Sequence, residues 1–407
     1  MQHEIFSLPD GLRIIYMPSA SPVSYCGFAV NAGTRDEQAD QFGLAHFVEH
    51  MLFKGTKKRK SWHILNRMES VGGELNAYTT KEETFLYSIA LSEDIERAME
   101  LLADLIFNSQ FPVNEIEKEK EVVIDEINSY KDNPSELIFD EFENILFHGN
   151  EMGHNILGEE DSIAGFTSSS CHSFINSFYH SANMIFFFHG KMPKEKIIRL
   201  ANKYFHTERK EPISIRQRSK PILLPAKKER INKDLHQSHV IIGGRGYDYH
   251  HPQRLGLYLL NNLLGGPGMN SRLNISLREK NGLVYTVDSN LTSYSDTGVF
   301  SIYFGADHES VDRCMRLVYK ELKKLREVYL TSSQFHSAIK QMKGQLGISC
   351  DQKENIALSM GKSFLHFNKY DSLSEIYDKL DLLTPSILSE IANEVFDENN
   401  LFQLIYS

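Results

Sequence analysis

The polar and apolar positions of this chain set out its elements before any chemistry is considered. Residues 2–8 and 12–17 alternate around Pro9-Asp10-Gly11, the chemistry of a turn between two short strands. A third strand follows at 23–31, then helical periodicity over 40–54 and 59–71. Strands return at 74–80 and 84–91. Helices are predicted over 93–108, 113–130, 133–147 and 168–179, and MIFFFHG at 184–190 reads as a buried strand within 183–190. Strands in neighbouring antiparallel-looking pairs, with helices in runs, indicate an α+β fold. Over 206–222 the pattern gives way to HTERKEPISIRQRSKPI, polar, basic and with two prolines, which reads as an interdomain connection.

Beyond that stretch the pattern starts again. SHVIIGGRGY at 238–247 lies over SYCGFAVNAG at 24–33, and SIYF at 301–304 over SIAL at 88–91. Ser88 and Ser301 stand 213 positions apart, as do Gly43 and Gly256. A constant offset over separated segments implies a duplicated unit of about 200 residues. The expected units are 1–211 and 222–407.

Composition narrows the class. A chain of 407 residues exceeds one ordinary core, and 41% hydrophobic with 24% charged residues is a globular balance. The net charge of −10 argues against a nucleic-acid partner. Cys26, Cys171, Cys314 and Cys350 are scattered with no C-x-x-C pair, so neither a disulfide framework nor a thiolate metal site is expected. Glu4 and Asp10 sit where a targeting segment would be acid-poor, and no window reaches the roughly 18 to 20 apolar residues of a membrane helix. The expectation is a cytoplasmic protein with no membrane partner.

The copies differ where chemistry could sit. Residues 43–55 read GLAHFVEHMLFKG, whereas the second copy reads GLYLLNNLLGGPG, setting His46, Glu49 and His50 against Leu259, Asn262 and Leu263. On a helix, residues four apart share a face, so the imidazoles of His46 and His50 can converge on one cation, with Glu49 near its open position. H-x-x-E-H suits zinc held by two imidazoles and a carboxylate, with the remaining glutamate as general base. The alternative, two surface histidines beside an ion-pairing glutamate, sits poorly with Phe42, Leu44, Phe47, Met51, Leu52 and Phe53 around them. The third ligand is sought on the helix at 113–130, where Glu119, Val122, Val123, Glu126 and Tyr130 form one stripe. Carboxylates facing a core need a partner or a metal. Glu119 and Glu126 lie about 10 Å apart along the axis, so one of the two is expected on the ion. His250-His251 and His236/His239 read as solvated loop histidines.

Together, H46-F-V-E-H50, Glu126 at 76 positions beyond His50, and Glu119 seven before Glu126 resemble the pitrilysin/insulysin metallopeptidases, particularly the short-chain branch similar to the mitochondrial processing peptidase β subunit. The resemblance implies two α/β-roll-like units, each an antiparallel sheet with packed helices. It implies one Zn2+ per chain on His46, His50 and Glu126, with Glu49 as general base and Glu119 supporting. G72-G-E-L-N76-A77-Y-T-T-K-E-E-T resembles the family's substrate-facing edge strand, placing Asn76 and Ala77 on the peptide. L277-R278-E-K-N-G-L-V-Y285 resembles the arginine and tyrosine of the metal-free copy, implying that Arg278 and Tyr285 contact substrate or oxyanion. The nearest stretch to the processing peptidase's long glycine-rich loop is G265-G-P-G-M-N-S-R272, so a bacterial peptidase of general peptides fits better than a presequence processor.

Longer relatives enclose a chamber with four such units, and this chain supplies two. The expected assembly is a homodimer in which Arg278 and Tyr285 of one chain complete the zinc site of the other, acting on peptide substrates. The rival reading is a non-catalytic assembly subunit resembling respiratory-complex core proteins, in which eroded metal motifs are expected.

Overall fold

A computed structural model describes residues 3–206 and 217–407. Much of the connection read at 206–222 thus lies outside the described residues. The first half opens with β1 (Glu4–Ser7) and β2 (Arg13–Pro18), paired as a hairpin in which Gly11 adopts φ 90° and the Asp10 carboxylate accepts from the Leu12 N–H. Next come β3 (Val23–Val30), α1 (Leu44–Leu52), α2 (Ser61–Glu69), β4 (Glu74–Thr79), β5 (Thr84–Leu91), α3 (Ile95–Asn108) and α4 (Val113–Lys131). α5 (Pro134–Leu146), α6 (Glu160–Ala164), α7 (Ser168–Phe178), β6 (Met184–Gly190) and α8 (Lys194–Tyr204) follow. The helical pattern over 40–54 begins only at Leu44, because Gly43 stands at φ 95° immediately before it. α6 and α8 were not anticipated. α6 is only five residues long, and α8 buries only Ile197, Leu200 and Ala201.

The second half contains β7 (Lys228–Ile231), β8 (Ser238–Gly246), α9 (Arg254–Gly265), a π-helical turn (Asn274–Glu279), β9 (Val284–Ser293) and β10 (Gly298–Ala306). It continues with α10 (Val311–Glu327), α11 (Ser332–Ser349), α12 (Lys353–Phe367), α13 (Leu373–Asp381), α14 (Pro385–Val395) and β11 (Phe402–Tyr406).

One sheet has the order β1-β2-β6-β3-β5-β4 and the other β7-β11-β8-β10-β9. Without β1 the two match strand for strand, which is the duplication as topology. Both sheets are mixed rather than wholly antiparallel: β2 runs parallel to β6, and β7 to β11. In each case the later strand returns after the helices and enters the sheet in the same direction as the first.

The chain forms two compact units. One takes its described residues from Met1–Ser129, Asn155–Arg218 and Cys350–Ser372, the other from Tyr130–His154, Ser219–Ser349 and Leu373–Ser407. In the first unit, β6 is buried throughout because both faces of its sheet are covered. Phe186 and Phe188 join Phe47, Leu101 and Leu102 on one face, while Ile185 and Phe187 meet Met360 and Phe364 of α12 on the other. Fully burying one phenylalanine contributes about 1.5–3 kcal/mol, so this strand anchors both layers. α12 approaches closely: a Cβ on Gly361 would lie 2.8 Å from Phe187. In the second unit, Val240 and Ile242 face Leu260, Val318 and Ile391, whereas Ile241 faces Ile138 and Phe142 of α5.

Candidate metal centre

The start of α1 is set before its side chains matter. Glu37, 3% exposed, accepts hydrogen bonds from the backbone N–H groups of Gly43 at 2.8 Å and Ala45 at 2.6 Å, satisfying donors that a helix end leaves open. Burial holds the Glu37 carboxyl well above its ordinary range, against those two hydrogen bonds. Leu44, Phe47, Val48, Met51 and Leu52 then bury the inner side of α1, with His46 buried beside them and Glu49 and His50 half-buried at the edge.

α4 supplies the carboxylates, with one correction to the expected stripe. The residues it buries are Ile116, Glu119, Val123 and Ile127, whereas Val122 is 49% exposed and the Glu126 side chain 43% exposed. The buried line advances by three and four residues, so Glu119 is in the core and Glu126 stands at its margin.

His46, His50 and Glu126 each bring a ligand atom to within 4.8 Å of the others. His46 Nε2 lies 3.9 Å from Glu126 Oε1, and His50 Nε2 lies 3.6 Å from Glu126 Oε2. The two rings meet edge-on with centroids 4.5 Å apart. Burial, and then the neighbouring His50, push His46 down to about 3, so its imidazole is neutral near pH 7. For His50, burial opposes the charged form, but the Glu119 hydrogen bond and the charges of Glu126, Glu119 and Glu49 together raise its pKa.

Glu119 Oε1 lies 2.9 Å from His50 Nδ1, and its Oε2 lies 2.5 Å from Lys54 Nζ. Glu119 therefore orients a candidate ligand from behind, and His50 keeps Nε2 for the shared point. Glu49 Oε2 accepts from Thr79 Oγ1 at 2.7 Å. Burial raises the Glu49 carboxyl above its ordinary range, against that hydrogen bond and the nearby His50.

Thr79 ends β4, the last strand of its sheet. Asn76 and Ala77 of β4 pair with Tyr87 and Leu86 of β5, and among the described residues no strand pairs with the outer edge. In the second unit, the Arg278 guanidinium lies 5.5 Å from the centre of the Tyr285 ring, and Tyr285 is 85% exposed. His239 is not a solvated loop residue: it is buried in β8 with Nδ1 2.8 Å from the Tyr303 hydroxyl, since the strand continues through it. His236 is exposed, and His251 stacks on Tyr247.

Three contributors escaped the sequence reading: Glu37, Lys54 and Thr79. Lys54 follows His50 by four residues, a spacing that could have marked it. Thr79 closes the strand already singled out for Asn76 and Ala77, but nothing in the sequence tied its hydroxyl to α1.

Two imidazoles and a carboxylate converging beside a half-buried glutamate form the donor set of a metal-dependent hydrolase. Family models agree: residues 13–160 match insulinase (peptidase family M16), and residues 165–342 match the peptidase M16 inactive domain. An uncharacterized zinc protease of Rickettsia felis is 34% identical over 402 residues, covering 96% of this chain and 94% of its own length. The uncharacterized zinc protease YmxG of Bacillus subtilis is 31% identical, covering 98% of this chain and 97% of its own. The fold is also that of a protease from Helicobacter pylori, with a TM-score of 0.93 and 22% identity over 100% of this chain and 99% of that one. The chain belongs to the pitrilysin/insulysin metallopeptidases, peptidase family M16.

Proposed function

We propose that the protein is a zinc-dependent endopeptidase that hydrolyses peptides or short unfolded polypeptides, with one zinc per chain held by His46, His50 and Glu126. The observation that carries this reading is the convergence of those three side chains within 4.8 Å beside Glu49. Their separations of 3.6 and 3.9 Å are too long for hydrogen bonds and near the edge of about 3.3 Å that a tetrahedron of zinc–nitrogen bonds requires. Neutral His46 and the Glu119-backed His50 suit zinc's preference for imidazole ligands ordered from behind.

Bound zinc would acidify a water and polarise the scissile carbonyl. Glu49, its pKa raised by burial, would take a proton from the attacking water at the oxygen Thr79 leaves free, then pass it to the departing amine. The open edge of β4 at Asn76 and Ala77 would pair with an extended peptide backbone, giving affinity largely independent of side-chain sequence. Arg278 and Tyr285 would donate hydrogen bonds to that backbone or to the oxyanion, brought by a second copy in a homodimer whose chains enclose the substrate. No helix among the described residues is long and apolar enough to cross a membrane, and the relatives above are bacterial; we place the protein in a bacterial cytoplasm.

Metal analysis paired with cleavage of a mixed peptide library tests the reading. About one zinc per chain is expected, with cleavage that a chelator abolishes. Glu49→Gln should keep the metal and lose turnover. A chain with neither zinc nor cleavage would belong with the scaffold subunits instead.

A further inference from the structure

Glu49 has a single anchor. Among the described residues, the Thr79 hydroxyl at 2.7 Å is the only hydrogen-bond or ion-pair partner of its carboxylate. The direction of that bond follows from its partner: a carboxylate accepts, and the hydroxyl donates. The rival acceptor for the same proton is the oxygen of Thr84, which stands opposite Thr79 in the β4–β5 pair and donates its own proton to the Ala32 carbonyl at 2.9 Å. At 3.5 Å from Thr79 Oγ1 it is much farther than Glu49 Oε2, so the Thr79 proton goes to the carboxylate.

The backbone that carries Thr79 is tied down at the turn that follows it. In the turn after it, the carbonyls of Thr80 and Lys81 accept from the N–H groups of Thr34 at 3.1 Å and Arg35 at 2.8 Å. The Arg35 guanidinium pairs with Glu82 at 2.6 Å, both 1% exposed. Glu83, also 1% exposed, binds His366 at 2.6 Å and Lys362. Threonine is β-branched and stiff about χ1, so a fixed backbone fixes the hydroxyl.

We infer that Thr79 is a positioning residue for Glu49: it pins one carboxylate oxygen so that the other faces the reacting water. Because Thr79 belongs to β4, the strand proposed to pair with the peptide, substrate register and base orientation share one anchor. The inference rests on the reading of Glu49 as general base.

Thr79→Val keeps the branched shape and removes the donor. It should lower kcat about 10- to 100-fold, since small misplacements of a reacting group cost up to roughly that factor, and leave KM within about twofold. Zinc content and the unfolding midpoint should stay at wild-type values, and Thr79→Ser should recover most of kcat. Wild-type kcat in Thr79→Val, no recovery in Thr79→Ser, or a loss that tracks zinc content would overturn the inference. Turnover by Glu49→Gln would instead remove the base assignment itself, so the two failures are distinguishable.

Discussion

At Glu119 one carboxylate serves two partners, and the arrangement is specific enough to test. Burial alone would raise its pKa, yet the hydrogen bonds from His50 and Lys54 outweigh burial and lower it, so the group stays ionised behind His50. We propose that this contact, 2.9 Å from His50 Nδ1, holds the ring with Nε2 outward. Glu119→Gln keeps the shape and removes the charge. Zinc affinity, measured by competition with a chromophoric chelator, should fall about 10- to 100-fold, the usual cost of losing a partner behind a ligand. An unchanged affinity would reduce Glu119 to a packing residue. At this scale the sequence was informative where spacing does the work: four residues bring His46 and His50 to one face whatever the surroundings. It was less so for Glu126, where the helix turned the buried line toward Ile127 and left Val122 in solvent. Thr79 was illegible because its partner lies thirty positions away and a strand hydroxyl has many possible acceptors.

The β4–β5 turn is where elements distant in the chain are tied together. Glu83 is held by His366 and Lys362, both on α12, and despite burial those contacts bring its pKa below the ordinary 4.5. A carboxyl with a lowered folded pKa stabilises fully above its unfolded pKa, and that stabilisation is lost as the pH falls through the folded value. Thermal unfolding of the wild type and Glu83→Gln, followed from pH 7 down to pH 3, should show the wild type more stable above pH 4.5, with the gap closing below it. A gap that widens in acid would reverse the sign and sink the account. In the first half of the chain element positions were largely legible because the periods of helix and strand differ and Gly or Pro punctuates the joints. Gly43 was the exception that mattered most. A helical pattern ran through it, but only its positive φ lets Glu37 close the end of α1.

For the whole molecule, the constant offset between Gly43 and Gly256 anticipated two sheets of matching strand order. It could not reveal which helix covers which sheet. An amphipathic pattern tells that a face is buried, not against what, and so α5 and α12 could not be assigned. The proposed homodimer makes its prediction here. Alone, Glu49→Gln should be inactive and Tyr285→Phe weak, and co-folding the two should restore one intact site per mixed dimer. Mixtures no more active than their parents would argue against completion in trans. The position of α12 also bears on synthesis. The second face of the sheet beside α1, at Ile185 and Phe187, waits for residues 353–367. On the ribosome, strand and motif emerge long before the helix that seals them. Packing of that sheet is therefore finished only once residues 353–367 have been made, so a chain that stops before them leaves Ile185 and Phe187 uncovered.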